Sequence, residues 1–74
     1  MGKLPVLRAR ELRAILERLG FSLVRQRGSH MRYRHPDGRG TTVPHHAGRD
    51  ISPILLCQIA RDIGLTPEEL LDNR

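Results

Sequence analysis

One histidine in this chain stands among arginines in a pattern suited to acid–base chemistry on a phosphodiester. His30 follows Gly28 and Ser29, with Arg25 and Arg27 before it and Arg32 and Arg34 after it. A histidine titrating near neutrality can take the proton from a ribose 2′-OH or give one to a leaving oxygen. Arginines can hold the phosphate and stabilise the charge that builds on it in the transition state. Metal-free RNA cleavage asks for that combination. Arg27 and Arg32 are the first candidates for phosphate contact, and Arg25 and Arg34 the next. Ser29 is read as shaping the turn before His30, with a hydrogen bond to substrate as its lesser role. His46 is a candidate second proton-transfer group, set against a structural or solvated loop position. On residue types alone, a solvated basic strand face accounts for the pattern more readily than catalysis does.

Other chemistries find less support. The remaining histidines are His35, His45 and His46, and no pair has the i, i+4 spacing of a helical metal site. Cys57 is the sole cysteine, so a zinc finger and an internal disulfide are both excluded. It falls near the apolar face of a helix, where a free cysteine behaves as an inert small hydrophobe. The glycines at 28, 38, 40 and 48 are isolated or in turns and build no phosphate loop. No carboxylate pair occurs in the basic half, which leaves two-carboxylate and metal-bound phosphodiester chemistry unsupported. Neither a metal nor a cofactor is expected.

The elements that must position His30 can be read from periodicity. Leu12, Ile15, Leu16 and Leu19 form an i, i+3, i+4, i+7 stripe, which predicts a first helix over about residues 7–19 with Arg10, Arg13, Glu17 and Arg18 facing water. Gly20 follows as the left-handed residue that closes it. Phe21 to Gln26 is a β-prone run that puts Phe21 and Leu23 on one face. Arg27-Gly28 makes a turn, and Ser29 to His35 alternates Met31 and Tyr33 against His30, Arg32 and Arg34. Pro36-Asp37-Gly38 is a turn, and Thr41 to Val43 reads as a third strand stopped by Pro44. Ser52 and Pro53 open a second helix, with Ile51, Leu55, Ile59 and Ile63 as its apolar face, widened by Leu56 and Ala60. Gly64 ends it. Thr66 and Glu69 form a capping box for a short last helix over about 67–72. The expected architecture is one α+β domain over residues 1–74: an antiparallel three-stranded sheet with helices on one face. His30, Arg32 and Arg34 would be exposed on the other.

Composition agrees with a small globular fold. The chain has 74 residues, 38% hydrophobic and 28% charged, so one modest core is its limit. The longest run without a charged residue is Ile51 to Ala60, too short for a membrane span. Met1 to Val6 lacks a secretory apolar stretch, and one cysteine suits a reducing compartment; the expectation is a cytoplasmic protein with no membrane partner. The net charge is +5, and twelve of the thirteen cations are arginine. Residues 3–49 carry eleven cations against three acids, and residues 50–74 carry two against five. That asymmetry points to a polyanionic partner bound by the first two thirds of the chain. A non-catalytic RNA-binding module using the same face is the alternative to a nuclease, and a domain that binds an acidic protein is a third reading.

Gly20-Phe21, Arg27-Gly28-Ser29-His30, His35-Pro36-Asp37-Gly38-Arg39, and Thr42-Val43-Pro44 with His46 together resemble the HicA (YcfA-like) family, the small toxins of HicA/HicB toxin–antitoxin pairs. The similarity continues through Arg49-Asp50-Ile51 and the closing Gly64 to Leu70, and covers about Leu12 to Leu71. It implies an mRNA interferase, an endoribonuclease that cleaves mRNA and arrests translation, with His30 as catalytic histidine. The implied partners are mRNA and a HicB-type antitoxin, the protein being a monomer or an antitoxin-bound hetero-oligomer. The implied fold is helix, three strands and helix, like a double-stranded-RNA-binding domain. Two departures stand out. Ile54 holds a place that is glycine in many members, which predicts altered packing at the start of the second helix. Of the basic cluster that duplex-RNA binders carry at that helix start, only Arg61 is present.

Overall fold

The computed structural model describes residues 6–44 and 50–74. Its elements are β1 (Leu7–Arg8), α1 (Ala9–Arg18), β2 (Ser22–Arg27), β3 (His30–Arg34), β4 (Gly40–Pro44), β5 (Asp50–Ile51), α2 (Pro53–Asp62) and α3 (Pro67–Leu71). The expected α-β-β-β-α order is present. β2, β3 and β4 form an antiparallel three-stranded sheet in that spatial order. Met31, Tyr33, Thr41 and Val43 point into the core from β3 and β4, where Leu12, Ile15 and Leu16 of α1 and Leu56, Ile59 and Ala60 of α2 meet them. Leu70 of α3 completes the cluster.

The helix ends follow local chemistry. After α1, the Phe21 N–H donates to the Leu16 carbonyl at 2.9 Å and the Gly20 N–H to Glu17 at 3.1 Å. This double closure needs the positive φ of +96° that Gly20 adopts. Ser52 accepts the Leu55 N–H at 3.2 Å ahead of Pro53, and the Thr66–Glu69 capping box forms in both directions.

Four details depart from the periodicity reading. The first helix starts at Ala9 rather than residue 7, because Leu7 and Arg8 pair antiparallel with Ile51 and Asp50. The same pairing takes Ile51 off the face of α2 and into a strand. Arg13 does not simply face water: its Nε donates at 2.9 Å to the hydroxyl of the fully buried Tyr33, satisfying the one polar atom that ring carries into the core. Leu23 pairs with Tyr33 but stays 41% exposed, since β2 is an edge strand exposed along its whole length. Ile54 is 82% exposed, so its side chain packs against little and the expected change at the helix start does not occur. Arg61 lies in the last turn of α2, leaving the start of that helix without a cation.

The turn from residues 35 to 39 ties the sheet to both helices. The His35 N–H donates to the Arg39 carbonyl at 2.8 Å, and Gly38, at φ +100°, returns its N–H to His35 at 2.9 Å. The His35 ring packs against Phe21 at 5.0 Å, and the Arg39 guanidinium lies 5.3 Å over the same ring. Arg39 also donates from Nη1 to the Ile63 carbonyl, at the C-terminal end of α2 where exposed carbonyls and the helix dipole favour a cation. The His35-Pro36-Asp37-Gly38-Arg39 run is thus a structural clasp.

Asp37 holds that clasp in its charged form. The Arg39 backbone N–H donates to Oδ1 at 3.0 Å and keeps the carboxyl below its ordinary value, aided by the Arg39 Nε at 2.7 Å from Oδ2. A carboxyl lowered in the folded state stabilises above its unfolded value of about 3.9, and that contribution is lost as pH falls through the folded value. Asp37→Asn should therefore be less stable than the native chain near neutrality, with the gap closing in acid. Urea unfolding of both chains across that range checks it; a gap unchanged in acid would contradict the assignment.

Candidate active site

The face of the sheet away from the helices carries the predicted cluster, and strand register explains how. Residues directly opposite in an antiparallel pair share a face. Arg27 pairs with His30 and His30 with Pro44; Arg25 pairs with Arg32 and Arg32 with Thr42; Ser22 pairs with Arg34 and Arg34 with Gly40. These three cross-strand rows lie two residues apart, about 7 Å along the strands. All four predicted arginines therefore share one surface with His30.

Strict alternation would not have produced this arrangement. Counting from Leu23, opposite the buried Tyr33, it turns Arg25 and Arg27 toward the core. The register of β2 against β3 slips between Leu23 and Arg25, so that β2 carries one residue more than its partner. This β-bulge at Val24 reverses the facing of everything after it. Arg25 and Arg27 consequently join β3's basic residues.

The hairpin at the end of β2 places His30 at the edge of the cluster. Gly28 and Ser29 form the two-residue turn, with Gly28 at φ +59° and no positive φ at Ser29, the glycine-first pattern of a type II′ turn. The turn lies at Gly28-Ser29 rather than at the expected Arg27-Gly28, because Arg27 is the last residue of β2 and pairs with His30. Ser29 is half-buried in the turn and does not line the depression that the other residues form. His46 lies outside the described residues.

Val24, Arg25, Arg27, His30, Arg32, Arg34 and Thr42 line an open depression of about 600 Å³. Among the described residues, no carboxylate and no phenylalanine or tyrosine ring lines it. Among the described residues, none of its four arginines forms an ion pair; the acidic partner Asp37 is engaged with the clasp. Uncompensated guanidinium groups around an exposed histidine form a surface ready for phosphate. Arg32 alone of the four has a side-chain hydrogen bond among the described residues, from Nη1 to Thr42 Oγ1 at 3.3 Å.

Thr42, Val24 and Gly40 were missed as parts of the site. The signal for the bulge was present: alternation from Leu23 would have buried two arginines beneath helices with no acid to meet them. No comparable sequence signal marks Thr42 or Gly40. Among the described residues, no three His, Cys, Asp or Glu side chains converge as a metal site requires. No helix there is long and apolar enough to cross a membrane.

The model of a family described as "HicA toxin of bacterial toxin-antitoxin" matches residues 9–65, from the first residue of α1 to just past the glycine that ends α2. No curated protein matches the chain.

Proposed function

The chain belongs to the HicA toxin family, and from that premise we propose that it is a metal-independent endoribonuclease that cleaves mRNA with His30 at the reacting phosphodiester. In the proposed step the ribose 2′-oxygen bonds to the adjacent phosphorus, the bond to the 5′-oxygen breaks, and the 2′ proton leaves as the 5′-oxygen gains one. His30 serves one of those two proton transfers. Arg27, its cross-strand partner, faces the phosphate oxygens as their charge rises, and Arg25, Arg32 and Arg34 hold the chain of phosphates alongside. Ser29 is proposed for shaping the turn, and His46 for a structural or solvated loop position, with the second proton transfer as its lesser role.

The observation that carries this reading is the exposed His30 set in a carboxylate-free face with four arginines. Two partners follow from the family and the charge: mRNA, and a HicB-type antitoxin whose acidic groups would cover the same arginines. The test is induced expression of the native chain beside His30→Ala, following growth and total mRNA. Arrest with mRNA loss in the native chain alone supports the reading. If neither chain affects growth or mRNA, the catalytic reading fails and a non-catalytic RNA-binding module takes its place.

Phosphate contact by Arg34 has its own signature. Binding to single strands falls with log salt at a slope of about 0.7 per phosphate neutralised. Arg34→Ala should flatten that slope by about one such increment when 2′-O-methyl RNA, which cannot be cleaved, is titrated by fluorescence anisotropy. An unchanged slope would remove Arg34 from the interface.

A further inference from the structure

We propose that Thr42 and Gly40 position Arg32 as a rigid subsite for the phosphate next to the scissile one, one nucleotide step from His30. The inference rests on the ribonuclease reading for its orientation, and on the geometry of β4 for its substance.

One contact and one clearance place the Arg32 guanidinium. Thr42 Oγ1 accepts from Nη1 at 3.3 Å. At Gly40 a Cβ would stand 2.7 Å from Arg32 Nη2 and 3.2 Å from its central carbon, so the guanidinium lies in the space that the missing side chain leaves. Thr42 is the cross-strand partner of Arg32, and Gly40 that of Arg34. The guanidinium is therefore drawn along β4 away from Pro44, the residue opposite His30. An arginine held there does not reach back to the phosphate that His30 attends. It meets a phosphate further along a strand laid over the face, while Arg27, paired directly with His30, is left to the scissile one. Preorganisation matters because arginine otherwise loses rotamer freedom on binding; an anchored guanidinium has given up that freedom already.

Both are positioning residues, and their signature is dependence on the number of phosphates in the ligand. The probes are uncleavable 2′-O-methyl oligonucleotides with one and with two phosphodiesters, titrated against the full chain. In the native protein the second phosphate should tighten binding several-fold. Thr42→Val, which keeps side-chain shape on an exposed strand position, should lose most of that several-fold gain and change one-phosphate affinity by less. Thr42→Ser should keep the gain. Gly40→Ala should lose it as well by displacing the guanidinium; because its Cβ would also stand 3.1 Å from the Tyr33 carbonyl, Thr42→Val is the deciding variant. The proposal is overturned if Thr42→Val keeps the full gain, or if it weakens one- and two-phosphate ligands equally. Cleavage by the native chain and His30→Ala, assayed in parallel, tests the ribonuclease reading separately: equal cleavage sinks that reading, while the titration still decides the subsite.

Discussion

Purified His30→Ala should cleave RNA about 10²- to 10⁴-fold more slowly than the native chain, the range set by loss of one positioned acid–base group, and should unfold at nearly the same urea concentration. The second half of that result gives the first its meaning. His30 is exposed and outside the core cluster, and a surface substitution of that kind changes stability by about 0.5 kcal/mol or less. Its backbone pairs with Arg27 and Pro44 through groups that alanine retains. RNA binding should also survive, because the four arginines remain. Single-turnover cleavage with RNA in excess of its dissociation constant measures the rate, and anisotropy measures the binding. A rate within threefold of native, with binding intact, would take proton transfer away from His30.

Phe21→Ala has the largest expected effect on stability, about 3–5 kcal/mol for an aromatic ring removed from a core. Phe21 is 2% exposed and lies between the closure of α1 and the start of β2. It supports the His35 ring on one contact and the Arg39 guanidinium on another, each worth about 0.5–1 kcal/mol in comparable settings. At roughly 0.05–0.15 kcal/mol per residue, a domain of this size has only about 4–11 kcal/mol in all. The substitution therefore removes from about a quarter to all of the folding free energy. Equilibrium unfolding in urea, or the loss of a cooperative transition at room temperature, is the readout. A loss below about 1 kcal/mol would mean that the clasp holds without its central ring.

Much of the architecture was legible because each element carries its own local signal. The α1 stripe with Gly20 behind it, Ser52-Pro53 before α2, and the Thr66–Glu69 box need no tertiary information. Met31 and Tyr33 alternating with His30, Arg32 and Arg34 announced which face of β3 is buried. What escaped depends on distant partners. Leu7 looks like the start of a helix until Ile51 arrives beside it, forty-four positions later. Arg13 looks solvated until the Tyr33 hydroxyl appears behind it. Thr42 and Gly40 look like ordinary strand and turn residues until Arg32 lies across them. His30 and the four arginines stand out as a group by their residue types, but the facing of Arg25 and Arg27 depends on the register slip, which alternation alone does not reveal.

The bulge at Val24 means that the basic face is encoded by the length of a strand as much as by its letters. Every cation on β2 points outward only because one residue there has no counterpart on β3. Deleting Val24 itself would leave Arg25 opposite Arg32 and Arg27 opposite His30 in plain alternation, whereas closing the bulge with Val24 still in the ladder would send both arginines toward the core. For this chain, the basic face depends on where the extra residue of β2 is absorbed as well as on which residues the strand carries.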